Sequence, residues 1–141
     1  MSTVLLRPEL IDLPDTAGKR FLVAAGRGLL RHCPYCGHGD IFRGWFTLKE
    51  QCPTCGVTFA YEDGYFLGAY PVNLVATAII ATATVIGLIV RSSLSVLEMQ
   101  VIGVTLAVGL PLLGYPFSLL IWAAIDIAFH PPDRQTGRRH I

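Results

Sequence analysis

Residues 33–56 have the sequence CPYCGHGDIFRGWFTLKEQCPTCG and are the most informative segment of the chain. It contains all four cysteines of the 141-residue chain, as two near-copies of one pentapeptide, CPYCG and CPTCG. Fifteen residues separate the two cysteine pairs, a spacing typical of a four-cysteine zinc site. Because four thiolates complete a tetrahedral shell around Zn²⁺, we predict a closed structural metal site with these ligands: Cys33, Cys36, Cys52 and Cys55.

The residues around the cysteines support this prediction. Pro34 and Pro53 restrict the two loops, and Gly37 and Gly56 permit the left-handed backbone that turns N–H groups toward the sulfurs. Apolar and aromatic side chains between the loops predict a β-hairpin, so residues 32–62 should form a small zinc ribbon with two zinc knuckles. So short a module cannot be stabilised by burial alone, and metal ligation should contribute much of its folding free energy.

Other chemistries use similar cysteine pairs. An iron centre of rubredoxin type has the same kind of cage, so the spacing fits iron as well as zinc. A thioredoxin-like site would need a thiol at a helix N-terminus in a βαβ unit, and neither feature is visible. Disulfides are disfavoured if the module faces the cytoplasm. His32 and His38 flank the first pair, but four cysteines already complete the shell, so both are expected to be exposed or to lie behind the ligands.

The composition after the cysteines is typical of a membrane protein. The chain is 52% hydrophobic and only 15% charged. Between residues 69 and 128 the charged residues are Arg91, Glu98 and Asp126 alone. Residues 69–90 carry no charge and would extend about 33 Å as a helix, which is enough to cross a hydrocarbon core.

A second apolar helix is predicted at about 101–125. Pro111 and Pro116 each remove a backbone donor within it, so this helix should be kinked or broken. The connection between the two spans is short, and they should therefore form an antiparallel transmembrane hairpin within residues 63–129.

The segments outside the hairpin carry most of the basic residues. The connection holds a single arginine, whereas the front region and the tail, residues 130–141, hold several. The positive-inside rule therefore predicts a two-pass membrane protein with both termini and the cysteines in the cytoplasm. Residues 1–18 should be loosely ordered and do not resemble a secretory signal. Residues 19–31 predict a short basic amphipathic helix, which either lies on an anionic membrane surface or packs against the cysteine module.

Several functions are disfavoured by the sequence. A net charge of +1 gives no reason to expect nucleic-acid binding. No nucleophile–base pair or carboxylate pair is visible, so no enzyme is predicted. The two spans lack an ionisable residue near their centres, which makes a single-chain transport pathway a poor hypothesis. Asp126 is expected to be an interfacial carboxylate at a helix end, with Arg134 as one candidate partner.

These features together resemble the DUF983 family of small bacterial membrane proteins. The resemblance covers roughly residues 30–125 and rests on the paired cysteines, the acidic and aromatic link AYEDGYFLGAY, and the two apolar spans. The tail, WAAIDIAFHPPDR, departs from the Arg-Pro-Leu-Lys type of ending that is more frequent in the family. Some members are similar to proteins encoded beside haem-copper oxidase assembly genes, which implies a helper role in respiratory-complex biogenesis. In family terms, the paired-cysteine motif is matched by Cys33, Cys36, Cys52 and Cys55.

The sequence therefore predicts a non-enzymatic zinc-ribbon protein of the bacterial inner membrane. We expect it to act at the cytoplasmic face as an adaptor, assembly factor or accessory subunit. Its partners would be the lipid bilayer and either another membrane protein or a second copy. The alternative is a metal-handling or thiol-redox membrane factor that uses the four cysteines.

Overall fold

A computed structural model describes residues 5–59 and 63–131 of the chain. The predicted basic tail lies almost entirely outside these residues, as does Arg134. Two short 3₁₀ segments, Pro8–Leu10 and Tyr65–Gly68, precede the first and second helices. The α-helices in chain order are α1 (Ala17–Leu29), α2 (Ala69–Arg91) and α3 (Val96–Phe129).

The predicted β-hairpin between the cysteine pairs is wrong. Within the described ranges there is no β-strand, and the pairs Phe42–Leu48 and Gln51–Thr58 are isolated antiparallel bridges. The backbone leaves the extended conformation at Asp40, where φ is 66°. A cysteine loop begins directly after Gln51, on one side of the second bridge. Each bridge remains a single residue pair rather than a ladder. Residues 32–59, called the cysteine module below, are therefore an irregular segment rather than a ribbon.

Two helices, α2 and α3, are long and apolar enough to cross a membrane. They contain 23 and 34 residues, which correspond to lengths of about 35 and 51 Å. Two hydrogen bonds determine their antiparallel register: Asn73 Nδ2 donates to Pro111 O at 3.0 Å, and Trp122 Nε1 donates to Tyr65 O at 2.8 Å.

The prolines do not break α3, so of the kink or break predicted from the sequence, the break is wrong. Val96–Phe129 is one continuous helix that includes Pro111 and Pro116. Pro116 has no N–H for the carbonyl of Leu112, four residues earlier. The indole Nε1 of Trp45 donates to that carbonyl at 3.0 Å. A side chain from the cysteine module therefore replaces the donor that the proline lacks.

Burial divides α3 into two parts. All of its buried residues lie from Pro116 onward, whereas α2 buries Ala69 alone. Gly68, just before α2, lies against the ring of Trp122. Residues 119–129 therefore extend past the start of α2, and we call them the α3 extension. The extension packs against the front of the chain, while the earlier part of α3 and nearly all of α2 present apolar side chains outward.

Helix α1 runs antiparallel to the α3 extension. Near its start, Arg20 Nη2 donates to Ala128 O at 3.0 Å, which satisfies a carbonyl in the last turn of α3. Near its end, Gly28 lies so close to α3 that an added Cβ would be 2.9 Å from the Cβ of Leu120. Of the two interpretations of this amphipathic segment, the contacts favour packing within the protein.

The described residues before α1 cross both cysteine loops. The N–H of Arg7 donates to Cys55 O at 2.8 Å, and the N–H of Asp12 donates to Tyr35 O at 3.2 Å. Although the sequence predicts loose order for residues 1–18, the part from residue 5 is thus attached to the cysteine module by backbone hydrogen bonds.

Replacing Gly28 by alanine should destabilise the protein, because the new methyl group would overlap Leu120. Overpacking of this kind costs about 1 to 3 kcal/mol. The matched control is Gly26→Ala, at an exposed position of the same helix where a Cβ meets no atom within 4 Å. There alanine gains about 1 kcal/mol of helix propensity. Thermal unfolding in detergent should give a lower Tm for Gly28→Ala and an equal or higher Tm for Gly26→Ala; equal shifts would contradict the close packing.

Candidate metal centre

The four cysteines lie close enough together to bind one metal ion. All four Sγ atoms are within 4.8 Å of one another. Cys33 Sγ is 3.9 Å from Cys55 Sγ, and Cys36 Sγ is 3.8 Å from Cys52 Sγ. Two sulfurs bound at about 2.3 Å to one tetrahedral ion are about 3.8 Å apart. Two pairs of sulfurs, one from each loop in each pair, therefore have the separation that a shared metal ion requires. All four cysteines are free thiols rather than disulfides.

The two cysteine loops have the same backbone structure. In the first loop, Gly37 N–H donates to Cys33 O at 2.8 Å, and Cys33 N–H donates to His38 O at 2.8 Å. In the second loop the corresponding bonds, from Gly56 to Cys52 and from Cys52 to Val57, are both 3.0 Å long. The duplicated pentapeptide thus folds twice in one way and presents two sulfurs from each copy.

The glycines that close these loops have left-handed backbone conformations. The φ angles are 74° at Gly37 and 75° at Gly56. Their neighbours also leave no room for a side chain: a Cβ on Gly37 would be 2.9 Å from Arg27 Nε, and one on Gly56 would be 2.5 Å from Leu5 O. Both conformation and space therefore require glycine here.

Arg27 supports the first loop in a way that sequence reasoning missed. Its Nη1 donates to Asp12 O at 2.8 Å, Tyr35 O at 3.0 Å and Pro34 O at 3.3 Å. The side chain is only 20% exposed, and its Nη2 lies 3.5 Å from the exposed Asp12 carboxylate. One local signal points to this role: Arg27 borders Ala24 and Gly28, the small residues that mark the packed face of α1.

The sulfurs belong to a hydrophobic core that includes α3. Cys33, Cys52 and Cys55 have no exposed surface, and Cys36 is 8% exposed. The core cluster joins the cysteines to buried residues of the module, of α1 and of the α3 extension. Besides the cysteines its members are Ala24, Tyr35, Ile41, Val57, Phe59, Leu120, Ala124 and Ile127.

The thiols also interact through their protons. Hydrogen bonds to Cys52 and then to Cys55, together with burial, raise the pKa of the Cys33 thiol far above its usual range. The hydrogen bonds from Cys33 and then from Cys55 hold the pKa of Cys52 low. At Cys55 the bond with Cys33 lowers the pKa, but the bond with Cys52 and burial outweigh it and raise the pKa to about 12. A metal ion that binds here has to displace the protons of Cys33 and Cys55.

Two aromatic residues between the cysteine pairs pack against α3. Trp45 packs edge-on against Phe117 with ring centroids 6.4 Å apart, and Phe46 lies 5.7 Å from the ring of Tyr115. Both rings therefore contact α3. Arg31 stacks on two of the module's rings, 4.5 Å from the centroid of Phe42 and 4.7 Å from that of Trp45.

The other predicted polar residues have local partners. Lys49 Nζ lies 3.0 Å from the Asp40 carboxylate and donates to Asp40 O at 2.6 Å. His38 contributes its backbone carbonyl to the first loop, as described above. Asp126 is near the end of α3, where its Oδ2 accepts the hydroxyl of Tyr65 at 3.0 Å and its Oδ1 lies 3.2 Å from Nδ1 of His130.

The protein thus consists of a cysteine module that could hold a metal and a hairpin of two apolar helices to which the module is attached. A family profile described as "Protein of unknown function (DUF983)" matches residues 42–129, more than half of the chain. The chain therefore belongs to the DUF983 family, which confirms the resemblance noted from the sequence. The matched region includes Cys52, Cys55 and both long helices, and it begins after Cys33 and Cys36. Neither a curated protein nor a solved structure matches the chain.

The purified protein should contain about one metal ion per chain, because four thiolates complete a single tetrahedral shell. The Cys33→Ser/Cys36→Ser and Cys52→Ser/Cys55→Ser variants should each lose the metal, since a single loop supplies only half of the ligands. Elemental analysis of the detergent-purified protein measures this loss and identifies zinc or iron. The His32→Ala/His38→Ala variant is the control and should retain the full metal content. A metal lost from the histidine variant, or kept by either cysteine variant, would contradict the four-cysteine ligand set.

Proposed function

We propose that the protein is a non-enzymatic membrane adaptor, in which a structural Zn²⁺ holds the cysteine module rigidly on a two-helix hairpin. The observation that carries this proposal is the burial of the four cysteines, of which only Cys36 has any exposed surface, 8%. A four-thiolate site in such a core leaves no open position for water or substrate. When bound, zinc would supply charge neutralisation and a cross-link between the two loops, which suits a structural role.

Burial also favours the adaptor over the alternative role in metal handling or thiol redox chemistry. To pass on a metal or to exchange disulfides, a sulfur has to be reached by a partner's thiol. Here the core residues of α1 and the α3 extension pack against the cysteines, and residues from Leu5 onward cross the second loop. A reactive role would require these segments to separate first.

We place the module at the cytoplasmic face of a bacterial inner membrane. The antiparallel register of α2 and α3 puts the segment before α2, the α3 extension and the cysteine module at one end of the hairpin. This end carries most of the basic residues of the chain, whereas the connection at the other end has Arg91. The positive-inside rule therefore supports a cytoplasmic cysteine module.

The proposed partner is another membrane protein. One side of α2 packs against α3, and its other sides present exposed apolar side chains that could pack against a partner helix within the bilayer. The family resemblance adds respiratory-complex assembly as the setting in which such a partner should first be sought.

A partner held by the folded module should co-purify with the wild-type protein from native membranes under mild solubilisation. It should be lost from the Cys33→Ser/Cys36→Ser variant, because that variant cannot complete the metal site. Mass spectrometry of the two eluates tests this, with His32→Ala/His38→Ala as the control that keeps all four thiols. Retention of the same partner by the cysteine variant would argue against the proposal, and so would a wild-type protein that is always isolated as a partner-free monomer.

The connection between α2 and α3 should face the periplasm. A cysteine introduced at the exposed Ser93 should react with a membrane-impermeant maleimide in cells whose outer membrane has been permeabilised. The native chain is the control, because its four cysteines are buried and should remain unlabelled. Labelling of Ser93→Cys only after lysis of the inner membrane would reverse the proposed orientation.

A further inference from the structure

Four large apolar side chains of the front half of the chain are exposed beside the hairpin. The exposed fractions are 59% for Leu29, 69% for Leu30, 40% for Trp45 and 51% for Phe46. We call these four residues the apolar ridge. They come from two separate elements, the C-terminal end of α1 and the turn between the cysteine pairs. Exposed apolar side chains beside two apolar helices are suited to contact with a partner or a membrane.

The ridge lies alongside the first turns of α2 and not beyond its end. Trp45 Nε1 bonds to Leu112 O, and the adjacent carbonyl of Pro111 accepts from Asn73. Asn73 is four residues past the start of α2, so the indole nitrogen is about 6 Å along the apolar hairpin. Leu29 reaches a similar level, because it lines a cleft of about 340 Å³ together with Asn73, Thr77 and other residues of α2 and α3.

The ridge contains one polar side-chain group, the indole N–H of Trp45, and this group has a hydrogen-bond partner within the protein. This N–H donates to the carbonyl of Leu112, which lacks a helical donor because of Pro116. The edge of the indole ring can therefore be buried in an apolar medium without leaving an unpaired donor. Above the ring, the guanidinium of Arg31 stacks on Trp45 and donates to Gly44 O at 2.9 Å. An aromatic ring with a cation on one side and apolar helix on the other is suited to the boundary between headgroups and acyl chains.

The charges of the turn fit the same environment. Between Ile41 and Leu48 the charged residue is Arg43, which is exposed, and there is no carboxylate. Cations at this level would be attracted to anionic headgroups. At the depth of the first turns of α2, the medium around a membrane hairpin is lipid, so a bilayer fits the ridge better than a water-soluble protein does.

We propose that the apolar ridge inserts into the boundary between headgroups and acyl chains, so that the cysteine module is wedged into the membrane rather than held above it. This inference rests on the proposed membrane insertion of α2 and α3. It assigns Trp45 and Phe46 a lipid-binding role, and it makes the metal-binding module itself part of the membrane contact.

Quenching of tryptophan fluorescence by brominated lipids tests the proposal, because the chain has two tryptophans, Trp45 and Trp122. The full-length protein is reconstituted into phosphatidylcholine and phosphatidylglycerol vesicles, brominated near either the carboxyl or the methyl end of the acyl chains. The difference between the wild type and Trp45→Phe gives the signal of Trp45. We expect this signal to be emitted at short wavelength and to lose most intensity with bromines near the carboxyl end.

Flotation of the same vesicles tests membrane insertion of α2 and α3 separately from insertion of the apolar ridge. In one outcome the protein floats with the vesicles while its Trp45 signal is unchanged by bromine and is quenched by aqueous acrylamide. That result would contradict insertion of the apolar ridge but not membrane insertion of the hairpin. A failure of the protein to float would contradict both membrane insertion of the hairpin and insertion of the apolar ridge. Trp122→Phe provides a second measurement, since in that variant Trp45 is the remaining tryptophan and its emission should show the same dependence on bromine position.

Discussion

Four buried sulfurs within 4.8 Å of one another impose the constraint on which the front half of the molecule depends. Among the described residues the cysteine module has two isolated bridges and no strand, so a sheet does not maintain its shape. Its shape follows from two identical loops that turn their sulfurs toward one point, each closed by a glycine with positive φ. Four thiolates this close together would repel one another without a cation between them. The proposed metal would neutralise this charge and would also cross-link the two loops of an irregular backbone.

The cysteine module and α3 share one core. Leu120, Ala124 and Ile127 belong to the same cluster as the cysteines, and Gly28 lets α1 approach α3 closely enough to close that cluster. The arginines of α1 complete the attachment, because Arg20 donates to the end of α3 and Arg27 donates to the first cysteine loop. Loss of the metal or of a cysteine should therefore alter the packing of the α3 extension. The extension is continuous with the part of α3 that belongs to the apolar hairpin.

Local sequence patterns correctly predicted the features that depend on residues close together in the chain. The duplicated pentapeptide indicated the cysteine cluster, and uncharged apolar runs indicated the two long helices. The β-hairpin was predicted wrongly because Ile41, Trp45 and Phe46 look like strand residues. In the structure Ile41 is buried with the cysteines, and the two aromatic rings contact α3. Their apolar character serves packing between segments distant in sequence, which no local rule detects.

The same limit explains why the sequence left open a break in α3. The donor for the carbonyl of Leu112 comes from Trp45, 67 positions away along the chain. Likewise, the periodicity of α1 indicated a polar face containing Arg27 but could not show that three backbone carbonyls would accept from its guanidinium. In both cases a polar group finds its partner only after the helices have packed.

The bond between Trp45 and the carbonyl freed by Pro116 has a geometric consequence for the hairpin. Successive residues of a helix are offset by about 100° around its axis. Because Pro116 frees one carbonyl in this turn, the indole can bond to it at one rotational setting of α3. Pro116 and Trp45 thus fix the rotation of α3 about its own axis relative to the cysteine module. This rotation determines which side of α3 lies under the module, and therefore which side is left to meet α2 and whatever surrounds the hairpin.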